Sequence, residues 1–586
     1  MKQKHPSPKT RHPVSVAPPR TEALNRFLAR CSLPLILLLV LGALALRASD
    51  LRADPPPDLS WSTGPYTDEA LNTYSARNMV LYGHWRTDDF FPLVVYPLFN
   101  YLTLLVFKLL GVGFVQVKLL SLLAGAASVF VIYLLVKEDA GPLAGLLAGL
   151  ALATCFPLVM YSRLGLVESV QILFLLLTGL FYVRGLRRPW QMGLAGLLGA
   201  STVLLVKVSA AFVAPALAAA IVWQLLAARR DRAAVQVLLR GIYWGLGGIG
   251  VAAAIWLVAV FLPHRADYFQ YVLRHSLESP AGHPQGLVAY LLNTFTVGYR
   301  SHLLARLSWV ALLGFVTLPV LAAGRRPAFR YLGLWFVLAL LMLGYMNYRP
   351  DRYELVLLPA LIAGFAAALA RLIETGTILP PLRPTALKAV LYAVWLWALV
   401  TQLALHTNGF WGTFTPRSES GLLVATLVIT AAAGALVYAI VRFARDGISV
   451  RSIAARATVA LVVLLLALVL DFAQYSRWFG ARTHVMVESE ADLDRSLPSG
   501  AVLVGNWAPA MLLASGRRAV PLTDWANADD PIGRFGATHL VTAENGFDFQ
   551  LFSRLYPGLL ERASVFRRYE VRGIQLLVYE LPKAGQ

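Results

Sequence analysis

The sequence predicts an all-α polytopic membrane protein of about 13 transmembrane helices, closed by a small C-terminal α/β domain outside the cytoplasm. Two observations predict it. Of the 586 residues, 58% are hydrophobic and only 14% charged, whereas a soluble domain carries about 25% charged and 45–50% apolar residues. The apolar excess is also divided into separate runs of about 17–24 residues, and about 20 span a bilayer core as a helix. Unpaired backbone amides are too costly in hydrocarbon for such runs to be anything but helical.

The runs lie near 32–48, 115–136, 141–160, 166–183, 190–206, 208–228, 241–262, 302–323, 331–346, 354–372, 389–405, 419–441 and 457–474. The first follows a long basic, Pro-rich tail, 1–31, whose composition reads as disordered and cytoplasmic. Small residues after the first run also fit a cleaved signal peptide, but an uncleaved first helix is the preferred reading. Either choice leaves the following chain outside the cytoplasm.

A fourteenth run, 93–110, contains Tyr96, Pro97, Asn100 and Lys108 and is only marginally apolar. Charge decides its fate. With 93–110 omitted and the N-terminus inside, the strongly basic loops fall on one side. They hold Arg184, Arg187 and Arg188; Arg229, Arg230, Arg232 and Arg240; Arg325, Arg326 and Arg330; Arg371, Arg383 and Lys388; and Arg442, Arg445, Arg451 and Arg456. This is the positive-inside pattern. Counting 93–110 as a span would put all of them outside, so it is expected to lie on the outer face. The net charge of +20 is explained the same way, with no nucleic-acid partner.

The transmembrane domain then covers 32–475, with outer loops at 49–114 and 263–301, and the soluble domain covers 476–586. Apolar segments at Ala501–Gly505, His539–Thr542 and Gln575–Tyr579 read as its strands. Cys31 and Cys155 lie in or beside apolar runs and read as small hydrophobes.

Ionisable residues gather at the outer rim. The first loop opens with "GPYTDEALNTYSARNMVLYGHW", placing Asp68 and Glu69 where a helix would begin. They either favour its positive end or supply a general base held close to a nucleophile. "YSRLGLVES" places Arg163 in an outer turn and Glu168 at the edge of the next span. A carboxylate there is expensive and points to function; the plainer reading is an Arg163–Glu168 ion pair. Lys207 and, in "YRPDRYELVLLPA", Arg352 with Tyr353 break the positive-inside pattern. Such cations suit a lipid-linked phosphate or serve as interfacial anchors. His84, His264, His275 and His283 lie on outer segments without metal-ligand spacing, so no metal ligands are assigned. "GLGGIG" at 245–250 lies inside an apolar run and follows no strand, which rules out a nucleotide fingerprint.

The ordered set of one helix, an outer Asp-Glu, an amphipathic helix, Tyr-Ser-Arg with Glu168 five positions after Arg163, and "RYxLxLLPA" resembles the GT-C membrane glycosyltransferases. It is most similar to the dolichyl-phosphate-mannose protein mannosyltransferases and the bacterial aminoarabinose transferase of lipid A. The motifs cover about 25–375, and the span layout extends the likeness to 475. The resemblance implies a polyprenyl-phosphate sugar donor, a lipid, glycan or protein acceptor, and an inverting reaction on the outer face of the cytoplasmic membrane. It makes Asp68 the catalytic carboxylate, assisted by Glu168 and with Glu69 beside it. Arg163, Arg352, Tyr353 and Lys207 become candidates for the donor phosphate. It does not settle whether a divalent metal takes part. Close relatives often carry a Lys before a Pro-Pro in the first loop; this chain has Tyr96 before Pro97 in "FFPLVVYPLFNY". The rival class is a transporter or flippase of lipid-linked sugars, which would need half-repeats or polar residues deep in the spans.

Overall fold

The computed structural model describes residues 19–60, 62–269, 286–295, 297, 303–324, 326–379, 448–523, 526–544 and 546–582. Among them, eight helices are long and apolar enough to cross a membrane, and three shorter apolar helices accompany them. Eleven of the thirteen expected runs fall on described helices; 389–405 and 419–441 lie outside the described residues, as do His275 and His283. Runs 115–136 and 141–160 form one helical stretch, Leu119–Thr154, folded back at Gly141. Gly141 takes φ 84° just before Pro142, a conformation glycine adopts without steric cost. Leu38, Val258 and Phe472 are 65%, 65% and 66% exposed, an outward apolar surface suited to lipid rather than water.

At the centre runs Leu358–Thr375, buried along nearly its whole length. It packs closely on Ser308–Ala322, where a Cβ on Gly314 or Gly364 would collide with the facing backbone. Thr317 Oγ1 donates to the Gly364 carbonyl at 2.7 Å. Small residues that admit close backbone approach are how helices associate without a hydrophobic drive.

The first loop, between the first two membrane helices, folds into short helices, Gly64–Asn72, Tyr74–Tyr82 and Pro97–Leu110. The last has 14 residues. At about 1.5 Å per residue it is roughly 21 Å long, short of the bilayer core.

The C-terminal unit is a five-stranded mixed sheet ordered 518–520, 502–504, 539–543, 574–580, 564–571. The first three strands are parallel and the last two antiparallel. The three expected strands are present; Arg518–Val520 and Ser564–Val571 are additional. Both additions are edge strands, one only three residues long and the other carrying Arg567, Arg568 and Glu570, so neither has an apolar run to announce it.

This sheet unit is fastened to the first loop. Arg77, fully buried, donates to the carbonyls of Leu512, Leu513 and Ser515 at 2.7–2.8 Å. Tyr74 donates to the Ala519 carbonyl at 2.7 Å, and Arg534 forks onto Asp89 at 2.8 and 2.9 Å. Asp54 accepts from Val485 N at 2.7 Å, capping the helix Val485–Ser496. Tyr66, on the helix that carries Asp68, packs in one apolar core with Trp507 and Met511.

Candidate active site

Four segments distant in sequence meet at one end of the bundle. Gly64–Asn72 brings Asp68, and Glu168 begins the helix Glu168–Gly185. Lys207 has an extended backbone (φ −161°, ψ 123°) where one apolar helix ends in a π turn and the next begins. Arg352 and Tyr353 lie in the short turn Asp351–Glu354, after Pro350 has set the helix start.

Their side chains form one chain of ion pairs. Arg352 Nη1 lies 2.6 Å from Asp68 Oδ2, and Arg352 Nε 3.5 Å from Glu168 Oε1. Lys207 Nζ donates to Glu168 Oε1 at 2.6 Å. The Lys207 ammonium also sits 4.0 Å from the centroid of the Tyr353 ring and 6.0 Å from that of Tyr96. Side-chain exposure is 1% for Glu168 and 5% for Lys207 but 14% for Asp68 and 11% for Arg352. The Asp68–Arg352 end is therefore the open one. Glu168 Oε2 is buried with no hydrogen-bond partner among the described residues. Burial pushes the Asp68 carboxyl above its ordinary range, against the pull of the Arg352 guanidinium. A Cβ on Gly64 would overlap both the Asp68 carboxylate and the Arg352 guanidinium, so glycine there makes room for the pair.

Five of the expected site residues thus converge: Asp68, Glu168, Lys207, Arg352 and Tyr353. Two do not. Glu69 points to the other side of its helix. There its Oε2 accepts from Gly165 N at 3.2 Å, and Lys118 Nζ stands 3.8 Å from its Oε1. It neither orients Asp68 nor caps the helix; it ties the first loop to the turn before Glu168. Arg163, expected near the donor phosphate, lies apart from the cluster. Its guanidinium donates to the carbonyls of Leu46, Arg47, Ser49 and Asp50, at the end of the first transmembrane helix, and stacks 4.4 Å from the Trp478 ring. Both of its terminal nitrogens are thus engaged with the end of that helix. The Arg163–Glu168 pair does not form, because Glu168 turns to Lys207 and Arg352.

Tyr96 and Tyr348 are additions to the site. Tyr96 precedes Pro97 at the start of the 14-residue helix Pro97–Leu110 and faces Lys207; Tyr348 packs on Tyr353 with ring centroids 6.4 Å apart. For Tyr96 the signal was present in the sequence, since it occupies the neighbourhood where relatives carry a cation. No group of three or more His, Cys, Asp or Glu side chains placed to hold a metal occurs among the described residues.

Residues 92–261 match the family model of dolichyl-phosphate-mannose-protein mannosyltransferase. No curated protein matches the chain by sequence. Among solved structures, ArnT from Cupriavidus metallidurans in the apo state superposes with TM-score 0.55 at 14% identity, covering 93% of this chain and 97% of ArnT. The same protein bound to undecaprenyl phosphate gives 0.53 at 14% identity, with 94% and 99% covered. With its bundle, its outer loop and the sheet unit beside them, the chain has the fold of the GT-C membrane glycosyltransferases and resembles the dolichyl-phosphate-mannose-protein mannosyltransferases and ArnT.

Proposed function

We propose that this protein transfers a sugar from a polyprenyl-phosphate donor to an acceptor on the outer face of the cytoplasmic membrane of a bacterium, with inversion at the anomeric carbon. The observation that carries the proposal is the Asp68–Arg352–Glu168–Lys207 chain: two carboxylates and two cations, nearly buried, at one rim of a membrane bundle. Such a cluster is expensive to maintain without a use. The structure of ArnT with undecaprenyl phosphate supports a lipid-phosphate ligand for this fold.

The chemistry follows from the charges. Without a donor, the two cations neutralise the two carboxylates. A donor phosphodiester brings a negative charge that Arg352 and Lys207 can both meet, and Arg352 suits a bidentate contact. As Arg352 turns to phosphate, Asp68 is released. The acceptor O–H or N–H then gives its proton to the Asp68 carboxylate while its O or N bonds to the anomeric carbon. The bond from that carbon to the phosphate oxygen breaks, and the electron pair leaves on polyprenyl phosphate. Phosphate is a stable leaving group, so the two cations suffice to hold it and no separate acid is required. Glu168 fixes Lys207 and shares Arg352, which makes it a positioning carboxylate. Tyr96 takes the place of the first-loop Lys of relatives, and Lys207 supplies the charge.

In a lipid-linked sugar transporter the same cations would bind the donor without breaking a bond. Incubating the purified full chain with candidate polyprenyl-phosphate sugars and an acceptor, and looking for free polyprenyl phosphate, separates the two. Release is expected; binding without release would establish the transporter.

A further inference from the structure

The helix Glu168–Gly185 carries Glu168 in its first turn and Arg184 in its last. At 1.5 Å per residue these are about 24 Å apart, so Arg184 marks the opposite face of the bundle, the one the basic loops assign to the cytoplasm. There Glu138, Arg184, Arg187, Arg188 and Gln191 line a cavity of about 410 Å³.

We propose that this cavity is a binding site for the headgroup of an anionic phospholipid of the phosphatidylglycerol type. Three observations point to it. First, three guanidiniums face one carboxylate. Glu138 pairs with Arg184 at 2.9 Å and with Arg187 at 3.5 Å, leaving two positive charges in excess. A guanidinium pair at a membrane surface matches a phosphodiester, and the cytoplasmic leaflet presents anionic lipid to such pockets. Second, Gln191 is only 7% exposed, yet its Oε1 has no hydrogen-bond partner among the described residues. It belongs to a residue in the wall of a positive cavity, and a ligand hydroxyl can satisfy it once the amide turns toward the opening. A phosphoglycerol headgroup carries both the phosphate and the hydroxyls. An ethanolamine headgroup brings an ammonium that the excess positive charge opposes. Third, Trp190 is 52% exposed beside the cavity, a residue type that settles at the level of lipid headgroups. The site is remote from the carboxylate cluster and does not rest on the glycosyltransferase reading.

The test uses the full chain purified in detergent and native mass spectrometry, with phosphatidylglycerol, phosphatidylethanolamine, phosphatidylcholine or inorganic phosphate added at matched concentrations. Phosphatidylglycerol is expected to be retained preferentially. Arg187→Gln with Arg188→Gln should cut that retention about tenfold, on the scale of one lost charged contact. Glu138→Gln should increase it, because it frees Arg184 and raises the excess charge. A purely structural role for the Glu138–Arg184 pair predicts the reverse for Glu138→Gln. Equal retention of all three lipids, or retention untouched by the double substitution, would overturn the proposal. So would inorganic phosphate binding as well as phosphatidylglycerol, which would make this a free-phosphate site.

Discussion

Arg352, in the turn Asp351–Glu354, stands between two carboxylates, 2.6 Å from Asp68 on the helix Gly64–Asn72 and 3.5 Å from Glu168 at the start of the helix Glu168–Gly185. One cation thus links three parts of the chain. In the proposed reaction its charge serves the fold when no phosphate is present and the donor when it is.

Arg352→Ala is therefore expected to raise the donor KM strongly, and Arg352→Lys less so. Losing a charged hydrogen bond to phosphate costs about 1.5–3 kcal/mol, or roughly 10- to 150-fold, whereas Lys keeps the charge and loses the fork. Steady-state kinetics on both variants checks it. Equal KM for Arg352→Ala and the parent would leave Arg352 as a structural link only.

Glu69→Gln is expected to lower thermal stability while leaving kcat nearly intact. Glu69 is 5% exposed and faces the Lys118 ammonium and Gly165 N–H, away from Asp68. Removing one partner of a buried pair leaves the other charge uncompensated, at a cost of about 3–5 kcal/mol. Tm and kcat measured on one preparation decide it; a large fall in kcat at unchanged Tm would return Glu69 to the chemistry.

The transmembrane helices were legible because burial in lipid leaves a direct mark, an apolar run of the right length. The outer-rim residues were legible because a charge beside such a run needs a reason, and Asp68, Glu168, Lys207 and Arg352 do meet. Direction was not legible. Asp68 and Glu69 are adjacent, so a helix turns them about 100° apart, and only the packing of Gly165 and Lys118 decides which faces the site. Arg163 stood out for the same reason as Arg352, but carbonyls freed at the end of the first span claimed it. Such backbone acceptors leave no trace in sequence. The edge strand Ser564–Val571 was hidden because its charged residues disguise its period.

The sidedness of the whole arrangement rests on the basic loops. A periplasm-active reporter fused after Gln586 is expected to be active, and a cytoplasm-active reporter at the same point silent. The reverse pattern would put the carboxylate cluster on the cytoplasmic face and remove the outer-face reaction.

Asp548 gives the sheet unit a pH dependence of its own. It is 4% exposed and accepts from Asn506 N at 3.0 Å, and burial pushes its carboxyl up to about 7. In the unfolded chain it would titrate near about 3.9. The folded form therefore holds a proton that the unfolded form releases, and stability falls as pH rises from about 4 to 7. Asp548→Asn keeps an acceptor for Asn506 and removes the titration. It should raise Tm at pH 8 and leave it nearly unchanged at pH 4. Thermal melts of both proteins across that range test this; parallel curves would show that the Asp548 carboxyl titrates normally.

The decisive substitution is Asp68→Asn. Asn preserves the size of the side chain and a carbonyl oxygen for the Arg352 guanidinium, so the fold should survive with a small change in Tm. If Asp68 only anchors Arg352, turnover should fall modestly and donor KM should carry the change. If Asp68 takes the acceptor proton, turnover should fall about 10²–10⁴-fold with donor binding retained. The second outcome is expected. Burial that raises the Asp68 carboxyl also makes it a stronger base, so kcat/KM should rise with pH along a limb displaced above the ordinary carboxyl range, and that limb should vanish in Asp68→Asn. Glu168→Gln separates base from positioner: it removes the charge that holds Lys207, so it should raise donor KM and lower kcat yet keep the limb. Transfer kinetics from acid to neutral pH on the parent and both variants, with melting curves alongside, provide the measurement. Full turnover in Asp68→Asn at unchanged Tm would take the base away and leave the rim carboxylates a structural task.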